Sequence, residues 1–213
     1  MVLELPGDSG LLMAGLKAKL RSQVKKPVRD GLSVRIGGAE LVNEFYRIFA
    51  VNMRDLGSPV HSKKWILAVI EHFDERARIG VVYTPEGLAA AAGVILLHPG
   101  TVSIPWASSL HRFNYLNPNM LLYWSFLSFA ADGGFSRFDF GRSTPAEGTY
   151  RFKEQWGAEP FPLYWEDRMH NHGENATGFV SGVGRKTAAA IWSRLPLSAT
   201  NALGPIFRRH ISL

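Results

Sequence analysis

The chain has 213 residues, 46% hydrophobic and 20% charged, with 13 Phe, 6 Trp and 6 Tyr. That is enough apolar surface to exclude wholesale disorder, and the length allows one full domain with an appendage rather than two large domains. Zero cysteines exclude a disulfide framework, thiolate zinc, iron–sulfur clusters and a cysteine nucleophile, and point to a reducing compartment.

No apolar run approaches the length of a membrane-spanning helix, the longest being Leu88 to Leu97. Glu4 and Asp8 precede the first base with no long apolar segment, so no cleavable signal peptide is expected and a cytoplasmic location is. The net charge of +6 is uneven: +3 over residues 1–31, −2 over 32–167 and +5 over 168–213. The expected organisation follows these shifts, with a basic N-terminal helix or linker over 1–31, a central domain over 32–167 and a basic, partly helical appendage over 168–213. Basic flanks suit RNA, nucleotide phosphates or anionic lipid, or else are solvated helix faces.

In chain order, Leu12, Leu16, Leu20 and Val24 recur every four residues beside Lys17, Arg21 and Lys25, which predicts an amphipathic helix ending at Pro27. A short strand over Leu32 to Ile36 and a Gly37-Gly38 turn follow. Next comes a helix with Leu41, Phe45, Ile48, Phe49 and Leu56 on one face, stopped by Gly57-Ser58-Pro59. A second helix carries Trp65, Ile66, Val69, Ile70 and Phe73. Ala77 to Tyr83, Leu88 to Leu97 and Thr101 to Ser108 read as an antiparallel meander. Asn117 as N-cap and Pro118 at the first helical position open a buried helix through about Ala131.

Phe135 to Phe140 reads as a strand with Ser136, Phe138 and Phe140 on one face and Arg137 and Asp139 on the other. Thr144-Pro145-Ala146-Glu147 has capping-box spacing and predicts a helix to Trp156, with Gly157 just past its end and Gly148 able to delay its start. Phe152 and Trp156 fall on its inner face, Tyr150 and Lys153 elsewhere. Glu159 to Trp165 reads as the last strand.

Several motifs fail. Asp139-Phe140-Gly141 spells a kinase tripeptide, but Phe113 stands where the catalytic Asp after His111-Arg112 belongs and no glycine-rich loop precedes it. Gly182 to Thr187 has broken phosphate-loop spacing and reads as a flexible turn. His170 and His172 lack a third ligand, so no metal is expected. No Gly-x-Ser-x-Gly elbow occurs.

What remains is a polar cluster of Asp139, Gly141, Arg142, Ser143, Thr144, Tyr150, Arg151, Lys153, Glu154 and Gln155 across a strand end, a loop and a helix. Helix N-termini bind anions and arginine pairs bidentately with phosphate or carboxylate; a capped helix with a surface ion network is the alternative.

The order strand, two helices, three antiparallel strands, helix, strand, helix, strand resembles the GNAT acyltransferase fold, an α/β (α+β) fold whose central sheet is mixed, mostly antiparallel and flanked by helices. Phe138-Asp139-Phe140-Gly141-Arg142-Ser143-Thr144 through Tyr150-Arg151-Phe152-Lys153-Glu154-Gln155-Trp156-Gly157-Ala158 resembles its FemAB-like branch, and more specifically the FemAB-related proteins associated with PEP-CTERM and exosortase systems. Leu20 to Pro27, Phe45 to Gly57, Pro105 to Ser109 and Leu116 to Trp124 extend the likeness over about residues 15 to 165. The resemblance implies acyl or aminoacyl transfer to an amine on a small-molecule or nucleotide-linked cell-envelope or exopolysaccharide precursor, with acyl-CoA or aminoacyl-tRNA as donor. Two departures stand out. Ser109 to Asn119 contains no glycine, so the glycine-rich pyrophosphate loop of ordinary GNAT enzymes is missing. Fem-type proteins usually carry two GNAT-like halves and this chain has room for one, which leaves a second half or a homodimer partner to be supplied.

Acyl transfer needs a proton acceptor beside the amine and a donor beside the developing oxyanion. Asp139 and Lys153 fit those roles; a structural cap and a solvated helix residue are the alternatives. Arg142, Ser143, Thr144, Tyr150 and Arg151 are expected to anchor substrate, with Trp106, Ser108 and Ser109 on the opposite wall, although Trp106 also suits a core. Lys17, Arg21, Lys25 and Lys26 suit tRNA or nucleotide phosphates. A catalytically silent binding module of the same fold and a plain RNA binder are the other readings.

Overall fold

The structure, a computed structural model, describes residues 1–164 and 182–209. Its frame is one six-stranded sheet in the order β1-β6-β5-β4-β3-β2: β1 (Val2–Glu4), β2 (Ser33–Gly37), β3 (Ala77–Tyr83), β4 (Ala89–His98), β5 (Thr101–Ser109) and β6 (Arg137–Asp139). All neighbours run antiparallel except β5 and β6. Helices α1 (Ser9–Gly15), α2 (Ala18–Arg29), α5 (Pro118–Asp132) and α6 (Gly148–Glu154) supply one face with a core built on Phe126, Leu122 and Phe138. Helices α3 (Val42–Asp55) and α4 (Lys63–Phe73) supply the other, around Phe45, Ile48 and Ile66. A two-faced sheet covered by helices explains why β3 and β4 read as continuous apolar runs rather than alternating ones.

Gly80 of β3 and Gly93 of β4 stand opposite each other in register. A Cβ on Gly80 would lie 2.6 Å from the Phe126 ring, and one on Gly93 would lie 3.0 Å from it. The pair forms a hollow in which the buried Phe126 sits, and it seats α5 against the middle of the sheet.

Several sequence expectations need correction. The predicted first helix is two helices, broken at the extended Leu16–Lys17 step, and α2 continues through Pro27 to Arg29. Pro27 lies in the last turn, where a single lost hydrogen bond is tolerated, and the stop is Gly31 at φ +84°. The stripe Leu12, Leu16, Leu20 and Val24 is nonetheless buried as predicted. Leu56 is 62% exposed, because α3 ends one residue before it. Asn117 precedes α5 but adopts left-handed geometry and makes no side-chain cap. The helix expected from Thr144 begins at Gly148; Thr144 to Glu147 form a turn with Ala146 at φ +68°. Of the expected strand from Glu159 to Trp165, Glu159 pairs, in a bridge to Val2, 160–164 form no strand, and Trp165 lies outside the described residues. The place beside β6 is taken by β1, which the three-residue Val2–Glu4 is too short to announce. Gly182 to Thr187, read as a turn, lies in α7 (Gly182–Trp192). His170 and His172 lie outside the described residues.

The C-terminal α8 (Leu197–Arg208) packs on α3. Thr200 is buried, and Gly204 lies so close to the Val60 backbone that a Cβ would come within 3.0 Å. Ala189 of α7 meets Gly57 just as tightly.

Candidate active site

Strands β5 and β6 pair in parallel only from Thr101↔Arg137 to Ser103↔Asp139. Past that point they part. β5 carries an extra residue at Ile104–Pro105, where its register against β4 shifts between Val94↔Trp106 and Leu96↔Ser103, and such bulges bend a strand. Pro105 has no amide to donate, so it suits the start of an unpaired edge. The opening is bordered by Trp106, Ser108 and Ser109 on β5 and by the loop after β6 on the other side.

That loop is shaped by Asp139. Its Oδ1 accepts from the Gly141 N–H at 2.8 Å, a side-chain turn that lets the chain leave the sheet, with Gly141 at φ +73°. The Met1 nitrogen lies 3.8 Å from the same oxygen and donates to the Gly141 carbonyl at 3.0 Å. Asp139 keeps 42% of its side chain exposed.

Lys153 reaches the loop from α6. Its Nζ donates to the carbonyls of Gly141 (3.2 Å) and Arg142 (2.7 Å), and at 7% exposure it is the one buried charged side chain among the described residues. Burial pulls its pKa down to about 8, with the Asp139 charge opposing. The α6 helix is held in place by Phe152, which meets Tyr123 edge-on at 4.8 Å, while Tyr123 stacks on Phe140. Helical spacing places Lys153 away from the inner face of Phe152 and Trp156; it is buried because its amine reaches the loop carbonyls of Gly141 and Arg142.

Arg142, Ser143, Thr144 and Tyr150 converge on a cleft of about 640 Å³ completed by Met1 and Phe161. Ser143 Oγ donates to the Arg142 carbonyl at 2.8 Å. Arg151 is exposed and is not among the residues lining this cleft. Trp106, Ser108 and Ser109 lie across the parted strands and do not line it either.

On the α3 side, Ser108 is buried and accepts from Asn52 Nδ2 at 3.1 Å. Trp106 meets Trp65 edge-on at 5.5 Å, and Trp65 stacks on His61 at 4.1 Å. Arg208 of α8 donates from Nε to His61 Nε2 at 3.2 Å, which makes that nitrogen an acceptor. Burial, and then the Arg208 charge, hold His61 below its ordinary pKa; burial and the Arg142 charge do the same to Arg208. Asn52, His61 and Arg208 were missed from the sequence. Asn52 carried a signal, a polar residue on the otherwise apolar face of Phe45, Ile48 and Phe49, whereas nothing local ties Arg208 to a residue so distant in sequence.

The four bases expected to take phosphates are distributed along α2 and its cap. Lys25 and Lys17 are exposed, Arg21 donates to the carbonyls of Ala14 and Leu16, and Lys26 pairs with Asp30 and donates to the Tyr115 carbonyl. Among the described residues no group of three or more His, Cys, Asp or Glu could hold a metal ion, and no helix is long and apolar enough to cross a membrane.

The model of the acetyltransferase (GNAT) domain family matches residues 15–154. The chain belongs to this GNAT acetyltransferase family. No curated protein sequence matches it. Among solved structures, FemX superposes with a TM-score of 0.66 at 13% identity, covering 74% of this chain and 57% of FemX. The C-terminal domain of a putative lysylphosphatidylglycerol synthetase from Agrobacterium fabrum gives 0.57 at 11% identity, covering 74% and 56%. An aminoglycoside 6′-N-acetyltransferase from Acinetobacter baumannii gives 0.51 at 10% identity, covering 65% and 99%. At these identities the likeness is one of fold. The chain thus spans little more than half the length of the first two and nearly the whole of the third. The GNAT fold, a mixed and mostly antiparallel sheet flanked by helices, is the one expected from the element order.

Proposed function

We propose that this GNAT-family protein is a Fem-like N-acyltransferase or aminoacyltransferase acting in the cytoplasm on a cell-envelope or exopolysaccharide precursor, as the resemblance to PEP-CTERM-associated FemAB-related proteins implies. The observation that carries the reading is the opening between β5 and β6, with a buried lysine and a carboxylate on the loop that forms one rim. The unpaired edge of β5 offers backbone groups to an extended acyl donor. Asp139, solvent-accessible on one side, takes the proton as the acceptor amine attacks the donor carbonyl. Lys153, with three donors of which two hold the loop, stabilises the tetrahedral oxyanion with the third. The C–N bond forms, the bond from the carbonyl carbon to the donor's sulfur or tRNA oxygen breaks, and the departing thiolate or alkoxide takes up the proton that Asp139 accepted from the amine. Arg142, Ser143, Thr144 and Tyr150, with the exposed Arg151 beside them on α6, hold the acceptor, Trp106, Ser108 and Ser109 form the β5 border of the opening, and Lys17, Arg21, Lys25 and Lys26 take tRNA or nucleotide phosphates. A second GNAT-like half, from another chain or a second copy, completes the cleft in this reading.

One observation favours a second reading. Asp139 and Lys153 both bond the loop backbone, as they would in a silent binding module that keeps the fold. Mass-spectrometric assay of acyl transfer from acetyl-CoA, a longer acyl-CoA and charged tRNA to an amine-bearing nucleotide-linked sugar separates the two. Product that disappears with Asp139→Asn and Lys153→Met is expected; no product from any donor leaves the silent module.

A further inference from the structure

The C-terminal pair α7 and α8 lies beyond residues 15–154, the stretch that the family model matches, and the transfer chemistry proposed above uses none of it. Its charge is one-sided: residues 182–213 carry five bases and no acid.

α8 is also packed inside out. A helix lying on a domain ordinarily turns its bulky apolar side chains inward. The first turn obeys that rule through Leu197, which packs on the α3-side core. Beyond it the residues that face the body are Thr200 and Gly204, both buried, with Gly204 against the Val60 backbone. Leu203, Ile206 and Phe207, at the i, i+3 and i+4 positions of one stripe, are 41%, 48% and 50% exposed. Phe207 meets Trp192 edge-on at 5.7 Å, which brings the end of α7 to this stripe, where Ile191 is 61% exposed. Arg194, three residues after Ile191, and Arg209, two after Phe207, are exposed. Arg208 instead turns inward to His61.

Four half-exposed apolar side chains amount to roughly 400 Å², half of the about 800 Å² that each side of a standard protein–protein interface covers. A patch of that size, flanked by cations on a segment without a carboxylate, matches the surface of an anionic bilayer. There apolar side chains enter the boundary between headgroups and acyl chains while arginines meet lipid phosphates. RNA would engage the arginines and leave Leu203 and Ile206 in water. At twelve residues α8 is too short to cross a bilayer, so it would lie in the plane of the interface.

We propose that the outer face of α7 and α8 docks the protein on an anionic phospholipid bilayer, with Ile191, Leu203, Ile206 and Phe207 inserted at the interface and Arg194 and Arg209 on lipid phosphates. Arg208 of α8 bonds His61 on the α3 side of the opening, so docking holds that side of the protein near the bilayer. The surface does not depend on the transferase reading.

Co-sedimentation of the full chain with vesicles of equal parts phosphatidylcholine and phosphatidylglycerol, and with vesicles of phosphatidylcholine alone, tests it. Binding to the mixed vesicles is expected, weaker by about tenfold or more on phosphatidylcholine alone and in Arg194→Glu/Arg209→Glu. Leu203→Ser/Ile206→Ser changes no charge and should lose about tenfold or more as well. Lys19→Glu/Arg29→Glu makes an equal charge change on α2, across the sheet, and should stay within threefold. All these side chains are exposed, and melting temperatures near the wild-type value show that the losses are not unfolding. No binding to the mixed vesicles, equal binding to phosphatidylcholine alone, or binding by the serine variant within twofold of wild type overturns the proposal; the last result leaves a surface for charge alone, as RNA would use. A dimer in sedimentation equilibrium that the serine variant dissociates, without vesicle binding, overturns it in favour of a second copy. Vesicle binding that the serine and glutamate variants on α7 and α8 abolish, in a protein that transfers no acyl group, would support the surface while removing the transferase reading.

Discussion

Replacing Lys153 by methionine sets two structural terms of similar size against each other and leaves catalysis as the readout. Burial lowers the lysine from 10.5 to about 8, which disfavours the charged amine by about 3 kcal/mol; methionine removes that cost. It also removes two hydrogen bonds to loop carbonyls, worth about 1.5–3 kcal/mol each when charge-assisted. The net loss is then about 0–3 kcal/mol, a fall in Tm of no more than about 12 °C for a chain of this size. Loss of one oxyanion donor costs about 10²–10³ in kcat. Steady-state transfer measured well below the variant's Tm, alongside its melting curve, should show that large kcat loss in a folded protein. A kcat within threefold of wild type, or a loss confined to KM, would refute the role given to Lys153.

The same lysine predicts a pH effect on stability. Below about pH 8 it is charged in the folded and unfolded chain alike, and the burial cost is fully present. Between about 8 and 10.5 the unfolded chain keeps a proton that the folded one has released, so its contribution makes stability rise with pH. Chemical denaturation at pH 7 and 9.5 should show that rise in wild type and a smaller one in Lys153→Met. Gly80→Ala pushes a methyl to 2.6 Å from Phe126 and should cost about 1–3 kcal/mol; an unchanged melting temperature would deny the hollow. Ser108→Ala leaves the Asn52 amide without its acceptor, with about 1–3 kcal/mol lost in the same melting assay. Gly57→Ala sets a Cβ 2.5 Å from the Ala189 carbonyl oxygen at φ +70°, so amide exchange in α7 should accelerate while exchange in β3 to β5 stays as in wild type.

Much of this fold is legible from periodicity, because burial of a repeating face is a local property. The stripe Leu12, Leu16, Leu20 and Val24, the meander of β3 to β5 and the all-round apolar α5 each follow from spacing alone. What escaped depends on distant partners. β1 is three residues long and has meaning only beside β6; the expected strand from Glu159 carries the more strand-like sequence yet pairs at a single residue. In the candidate site, Asp139, Arg142 and Lys153 stood out as a dense polar run on a strand end and the helix after it. Trp65, His61 and Arg208 reach the α3 side of the opening from three elements, and only their assembled positions join them.

The segment Met1 to Glu4 acts as a buckle. The Met1 carbonyl accepts from the Phe140 N–H and the Met1 nitrogen reaches Gly141, while Val2 exchanges both backbone bonds with Glu159. It therefore fastens the stretch between Phe140 and Glu159 at both stems with a few exposed-edge bonds. Opening that edge strand frees both stems of the stretch at a free energy below that of global unfolding, while α6 keeps its Phe152–Tyr123 contact. Amides of Val2, Phe140 and Glu159, each bonded through this segment, are then one cooperative unit that exchanges together and ahead of β3 and β4, and the anchoring of the site's loop rests on Met1 and Val2, far from it in sequence.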